Sequence, residues 1–301
     1  MSKVAYTKAA LTYAQQLSQL KDRGLTIPNE EYFLHLLEVK SYYRLSGYWY
    51  PLLDNKEEHT FKKGASFDTA YKIYCFDREL RHFVLAELEK IEVAIRAKMI
   101  YILSHQHGAF WYKNNELFRN EEKHVRLMDK LKTEYSRSDE EFILAFRKKY
   151  SNPLPPSWML MEVTSFGSLS LIYSNLKPGR IKRDIAKEFG LADSVFSSWI
   201  HSIVYMRNVC AHHSRLWNRV MSIQPYMPRR TYNQWLIKKD VSNNSTYFIL
   251  SMLVYLMNCI KHENDVIEKF KSLLIKYPNI HPFAMGFPED WEKEPLWKVT
   301  M

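Results

Sequence analysis

Three cysteines, eight glycines and twelve prolines are sparse for 301 residues, and each scarcity excludes something. Cys75, Cys210 and Cys259 form no Cys-x-x-Cys pair, which argues against a disulfide scaffold and for a reducing compartment. The N-terminal MSKVAYTKAALTYAQQ lacks the apolar core of a secretory signal. The longest apolar run, Tyr247 to Ile260, holds Ser251 and Asn258 and is too short to span a bilayer. A cytoplasmic protein with no membrane association is the expectation. Internal repeats and low-complexity tracts are also missing.

What is present fits a folded globular chain: 46% hydrophobic residues suffice for a large core, and the length suggests about two domains. Forty-three Lys and Arg against 33 Asp and Glu leave a formal charge of +10. That excess favours a polyanionic partner, by counterion release if the partner is nucleic acid. The plainer reading is a basic soluble surface, since charge speaks to association and not to fold.

Few breakers and apolar residues spaced three and four apart predict an all-α fold. From Asp77 to Ser104 the residues Leu80, Val84, Leu88, Ile91, Ile95, Met99 and Ile102 form one stripe, suited to bundle packing. Arg81, Glu89, Glu92 and Arg96 lie opposite as a solvated charged face, with Glu92 and Arg96 an i,i+4 pair in the favourable order. Helices are also expected over 7–23, ending near Gly24, and over 29–40, with 54–66 a loop or short hairpin. Asn152 to Pro156 cannot be helical. Lys177-Pro178-Gly179 marks a turn before a short helix that Gly190 ends, and a long helix then carries Phe196, Trp199, Ile200, Ile203 and Val204 towards Arg207. Two more helices follow near 244–260 and 264–277. Residues 1–66 read as an N-terminal helical module and 67–301 as a helical core.

Arg207-Asn208-Val209-Cys210-Ala211-His212-His213 breaks this pattern, because polar groups on a buried helix cost desolvation energy unless they face a cleft or one another. At 100° per residue Asn208 and His212 share a face, and Arg207 lies about 140° from His212. A guanidinium neutralises phosphate, an imidazole moves protons near neutral pH and an amide fixes geometry, so the set suits a phosphodiester. The structural alternative pairs Arg207 with an acid such as Glu92 and bonds His212 to a backbone carbonyl. Tyr42, Tyr43, Tyr48, Trp49 and Tyr50 cluster with Arg44 around Gly47, a composition suited either to stacking unpaired bases or to closing a seam between modules.

Several blocks taken together resemble the bacterial abortive-infection family of AbiD/AbiF type, whose C-terminal part belongs to the HEPN superfamily of helical ribonucleases. They are Tyr42 to Tyr48, Phe76 to Arg81, Glu92 to Arg96, Trp158 to Glu162, Arg207 to Arg219, and Met285 to Pro288 with Trp291. The HEPN signature, an arginine and a polar residue followed by a histidine, falls on Arg207, Asn208 and His212. The resemblance implies a HEPN-type helical bundle with an N-terminal helical extension, acting as a homodimer whose signature helices face each other. It implies metal-independent cleavage of RNA by 2′-OH attack, without a cofactor, in phage defence or a toxin-antitoxin system, so that DNA is spared. His212 would move the proton, Arg207 would stabilise the phosphorane and Asn208 would position either. Glu92 and Arg96 would support Arg207 or the helix pair, and His213 is either a second site residue or a packing histidine. Arg215 and Arg219, with Arg44 and Tyr43, are candidate RNA contacts. The restraint such a nuclease needs implies an RNA or protein antitoxin, and the basic charge leans towards an inhibitory non-coding RNA.

Three other readings compete. A helix-turn-helix over Ile185 to Gly190 would need Val195 to His201 as recognition helix, which is too apolar to read base edges. A metallohydrolase built from Cys210, His212, His213, His105 and His107 matches no zinc spacing. A catalytically silent protein binding RNA or an antitoxin through the same groove would keep the fold and lose the chemistry.

Overall fold

The computed structural model describes residues 5–260 and 264–298. Its described residues hold twelve α-helices and one two-stranded ribbon, an all-α fold. None of these helices is long and apolar enough to cross a membrane. The chain divides into two units, Met1–Glu79 with Leu273–His281, and Leu80–Ser272 with Pro282–Met301.

In the smaller unit, α1 (Tyr13–Asp22) starts on a capping box between Thr12 and Gln15 and ends where Gly24 takes φ +92°. Leu25 N–H there reaches back to the Leu20 carbonyl at 3.0 Å, satisfying an orphan acceptor. α2 (Glu30–Lys40) is capped by Asn29 and is followed by α3 (Tyr42–Trp49). The expected hairpin is present as β1 (Leu53–Asn55) and β2 (Thr60–Phe61). Aromatics hold the unit: the Phe33 and Phe67 rings meet edge to face at 4.6 Å, and buried Tyr48 donates to the buried Asp77 carboxylate at 2.6 Å. Glu79 accepts from Lys276 at 2.8 Å and from Tyr277 at 2.6 Å.

The 41-residue helix α4 (Phe67–His107) carries the expected stripe into the larger unit. Leu80, Val84, Leu88, Ile91, Ile95 and Met99 are all at most 1% exposed, each burial contributing roughly 1.5–3 kcal/mol. The last step differs from expectation: Leu103 is buried and Ile102 half-buried, because Leu117, Leu176 and Ile181 gather on the Leu103 side of this end of the helix. Arg81 is buried too, so it does not belong to a solvated face. A guanidinium enters a core only with partners, and Arg81 is engaged there.

Further helices are α5 (Glu121–Ser136), α6 (Glu141–Lys149), α7 (Ser157–Leu160), α8 (Phe166–Asn175), α9 (Arg180–Lys187), α10 (Asp193–Ala211), α11 (Thr246–Ile260) and α12 (Val266–Lys276). Between α6 and α7 the proline segment is irregular, as expected. α8 packs against both α5 and α10. Tyr173 near its end meets Phe196 near the start of α10 at 4.9 Å, while a Cβ on Gly167 near its start would lie 3.9 Å from Val204 Cγ1, so α8 and α10 run antiparallel. Lys182, almost fully buried, reaches over the Tyr173 ring to donate to the Ser174 and Leu176 carbonyls, closing the end of α8. Burial, then the nearby Arg119 charge, holds its ammonium pKa below the usual lysine value.

Candidate functional site

α10 is positioned by its apolar face. Phe196, Trp199, Ile200, Ile203 and Met206 are essentially fully buried, and Trp199 Nε1 donates to the Tyr226 carbonyl at 2.9 Å. The same burials commit the apolar residues of the would-be recognition helix, Val195 to Ile200, to the core, which weighs against the helix-turn-helix reading.

The helix stops at Ala211, earlier than a run through both histidines would require. His212 is the C-cap, with its N–H on the Asn208 carbonyl at 2.9 Å. His213 takes φ +57°, and Ser214 N–H bonds the Val209 carbonyl at 2.9 Å. That is the Schellman arrangement with histidine where glycine is usual. Arg207, Asn208, His212 and His213 are therefore exposed at a helix terminus, and the desolvation cost expected of a buried helix does not arise.

Arg207 Nη1 lies 3.4 Å from Asn208 Oδ1, at the long limit of a hydrogen bond. No ion pair of Arg207 and no side-chain hydrogen bond of His212 occurs among the described residues. Cys210 is buried while both neighbouring histidines are exposed, so the three do not converge on one metal. Among the described residues no group of three or more His, Cys, Asp or Glu could hold a metal ion.

Glu92 pairs with Arg96 and not with Arg207. Arg96 Nη2 donates to Glu92 Oε1 at 2.7 Å and to the Thr164 carbonyl at 3.2 Å, and Nη1 lies 3.8 Å from Glu162. Thr164 leads into the first turn of α8, where Ser165 caps the helix and the Glu134 carboxylate accepts from the Ser165 and Ser168 hydroxyls. A negative charge there also complements the helix dipole. Since Gly167 faces Val204, the Glu92 and Arg96 pair braces the helix that flanks α10 one turn before Asn208.

Arg219 turns inward: Nε and Nη2 donate to Tyr205 Oη at 3.3 and 3.1 Å, and Nη1 donates to the Arg215 carbonyl at 3.2 Å. Burial pushes the Tyr205 phenol pKa up, but the bonds to Ser222 and Arg219 and the Arg219 charge outweigh it and hold the pKa below the usual tyrosine value. Tyr205 shares the face of Asn208 and His212, about 20° from the latter, and sequence reasoning passed over it. Its place three before Asn208 was the available signal. Arg215 is half-buried and engaged. Tyr43 and Arg44 sit on α3 in the smaller unit, Tyr43 89% exposed. Their aromatic neighbours are split by packing: Tyr48 and Trp49 are core, and Tyr42 stacks edge-on to Trp49 at 5.1 Å.

A family model described as Abi-like protein matches residues 35–218, well over half of the chain. The chain belongs to the Abi-like protein family. Family membership suggests a role in phage defence. The matched region of this Abi-like protein takes in Glu92, Arg96 and the exposed end of α10 with Arg207, Asn208 and His212. No curated protein and no solved structure matches the chain.

Proposed function

We propose that this Abi-like protein is a metal-independent endoribonuclease of HEPN type. A single observation carries the reading: Arg207, Asn208 and His212 stand together, exposed and without competing ion pairs among the described residues, at the end of a rigidly packed helix. In the reaction the ribose 2′-oxygen attacks the adjacent phosphorus and the bond to the 5′-oxygen breaks. A 2′,3′-cyclic phosphate and a 5′-hydroxyl result, with the 2′-OH proton taken up and one returned to the leaving oxygen. His212 serves as the proton carrier, Arg207 neutralises charge growing on the phosphorane oxygens, and Asn208 holds Arg207 or the phosphate in place. Two chains meet across a two-fold axis, each bringing its own Arg207 and His212. Release in the cytoplasm is restrained by an inhibitory RNA.

The test is purified protein with labelled single-stranded RNA in excess chelator. Wild type leaves cyclic phosphate ends, Arg207→Ala and His212→Ala each lose at least about a hundredfold in rate, as is usual for an acid-base or charge-stabilising group, and single-stranded DNA stays intact. Cleavage that needs a divalent metal, or that survives both substitutions, overturns the proposal; RNA binding without cleavage favours the silent binder.

A further inference from the structure

A second basic feature lies away from the signature. Lys123, Arg126 and Lys130 occupy one face of α5 at successive turns, over about 10 Å, and Arg119 extends the row beyond the start of the helix. Together with Leu127, Leu171, Ser174 and Asn175 they line a groove of about 300 Å³ between α5 and α8. Some lysines elsewhere in the same unit are neutralised, Lys90, Lys98, Lys132 and Lys269 each sitting within 3.5 Å of a carboxylate, while others such as Lys148, Lys149 and Lys177 have no ion pair among the described residues. In the groove only Lys130 approaches a carboxylate among the described residues, Glu134 at 4.0 Å, and that oxygen already accepts from two serine hydroxyls. Arg119, Lys123 and Arg126 have no ion pair among the described residues.

The rest of the lining does not read sequence. The Asn175 side chain is spent on Asn120, its amide donating to the carbonyl at 3.0 Å, and Ser174 Oγ donates to Leu171 O. No aromatic ring lines the groove on which a base would stack. Recognition there is by charge alone, of anions spaced along a line, and one row of cations tracks one strand. The row also points somewhere. A Cβ on Gly167 would lie 3.8 Å from Lys130 Nζ and 3.9 Å from Val204 Cγ1, so the last cation of the groove and the flank of α10 meet at one spot, a turn before Asn208.

We propose that the α5–α8 groove binds the phosphate backbone of single-stranded nucleic acid, independently of sequence, and leads the strand to the end of α10. Only the second clause rests on the ribonuclease reading. The binding test uses the full chain carrying Arg207→Ala and His212→Ala, so that nothing is cut, with a labelled 20-nucleotide RNA titrated at several salt concentrations. Adding Lys123→Ala and Arg126→Ala lowers the slope of log affinity against log salt by about 1.4, at roughly 0.7 per lost phosphate contact, and weakens binding about twentyfold at 0.1 M salt. Both positions are exposed, and Lys132→Ala, which removes an ion-paired charge from α5, serves as control. An unchanged slope, or an equal loss in the control, overturns the proposal. So does polyglutamate displacing the RNA at equal charge concentration, which would point to an acidic protein partner. In chains with Arg207 and His212 intact, the same pair of alanines raises KM about as much as it weakens binding and leaves kcat unchanged. Binding that follows the expected slope in a chain that never cuts RNA leaves the groove standing and removes the ribonuclease reading alone.

Discussion

Arg96→Met is the most telling perturbation of the scaffold behind the site. The guanidinium bonds Glu92 at 2.7 Å and the Thr164 carbonyl at 3.2 Å, and the two charged side chains are only 11% and 19% exposed. Its Nε is buried without a partner, so the network already carries one unmet donor. A hydrogen bond to a charged group is worth about 1.5–3 kcal/mol, and removing the arginine also strands a half-buried carboxylate. Arg96→Met should therefore cost about 3 kcal/mol and Glu92→Gln about 1–2 kcal/mol. The double variant should fall short of their sum by about 1–2 kcal/mol, because the two residues share one interaction. Denaturant unfolding of the four proteins measures the cycle. For a unit of this size the single arginine change lowers Tm by about 6–12 °C. A coupling below about 0.5 kcal/mol, or an Arg96→Met protein within about 1 kcal/mol of wild type, refutes the argument that the pair is a brace. On the ribonuclease reading, kcat falls in Arg96→Met by more than the unfolded fraction explains, since α8 would shift against α10.

Two further predictions separate structure from chemistry elsewhere. His213 at φ +57° holds a conformation that costs a side chain about 1 kcal/mol, so His213→Val should be less stable than His213→Gly by about 1 kcal/mol or more, measured by thermal melts. If His213→Gly also cuts RNA at the wild-type rate, the residue is a helix terminator and not a proton carrier. Burial pushes the Cys259 thiol up to about 11, against the opposing bonds from Asn233 and Tyr255, so at pH 8 about one thiol in a thousand is ionised. Ellman's reagent should label it only on denaturation. Because the unfolded thiol loses its proton near 9, its contribution to stability is full below that pH and lost as pH rises from 9.0 to about 11. Labelling of Cys259 within seconds at pH 8 in the native protein would defeat the burial argument.

The helical class was legible because Leu80 to Met99 keep one apolar stripe, and burial of such a stripe is dictated by spacing alone. The turns at Gly24 and Gly190 were legible for a different reason: glycine takes positive φ without strain, and both residues do so. The end of α10 was hidden because the left-handed position is filled by His213, a residue that carries no stop signal. Buried Lys182 was hidden because its cost is offset by the Ser174 and Leu176 carbonyls and the Tyr173 ring, which only the packing of α9 against α8 brings to it. Arg219 likewise looked like a free surface cation, and only the fold brings it to Tyr205. In the groove, the spacing of Lys123, Arg126 and Lys130 was visible in the chain. Its other wall was not, since Leu171 and Ser174 reach it through the packing of α8 on α5.

Exposure of the signature has a consequence for how it could catalyse. Two unit charges 4 Å apart interact by about 1 kcal/mol in water and about 4 kcal/mol near a protein surface of effective dielectric 20, whereas one well-placed donor to a developing oxyanion is worth about 2.7–4 kcal/mol. Arg207 and His212 stand in water on a single chain, at the weak end of that range. Rate acceleration by this set therefore requires something to cover it. RNA lying across the helix end does part of this by displacing water from one side. A second copy apposed across a two-fold axis does more, because it excludes water from the other side and adds another guanidinium and imidazole aimed at the same phosphate. The same end of α10 suits such a meeting physically, because the side chains of Arg207, Asn208 and His212 project into solvent from a helix terminus. On the ribonuclease reading, then, dimer formation is the step that lowers the dielectric of the site, and an RNA inhibitor that occupies the exposed end in each chain separately would block substrate and assembly together.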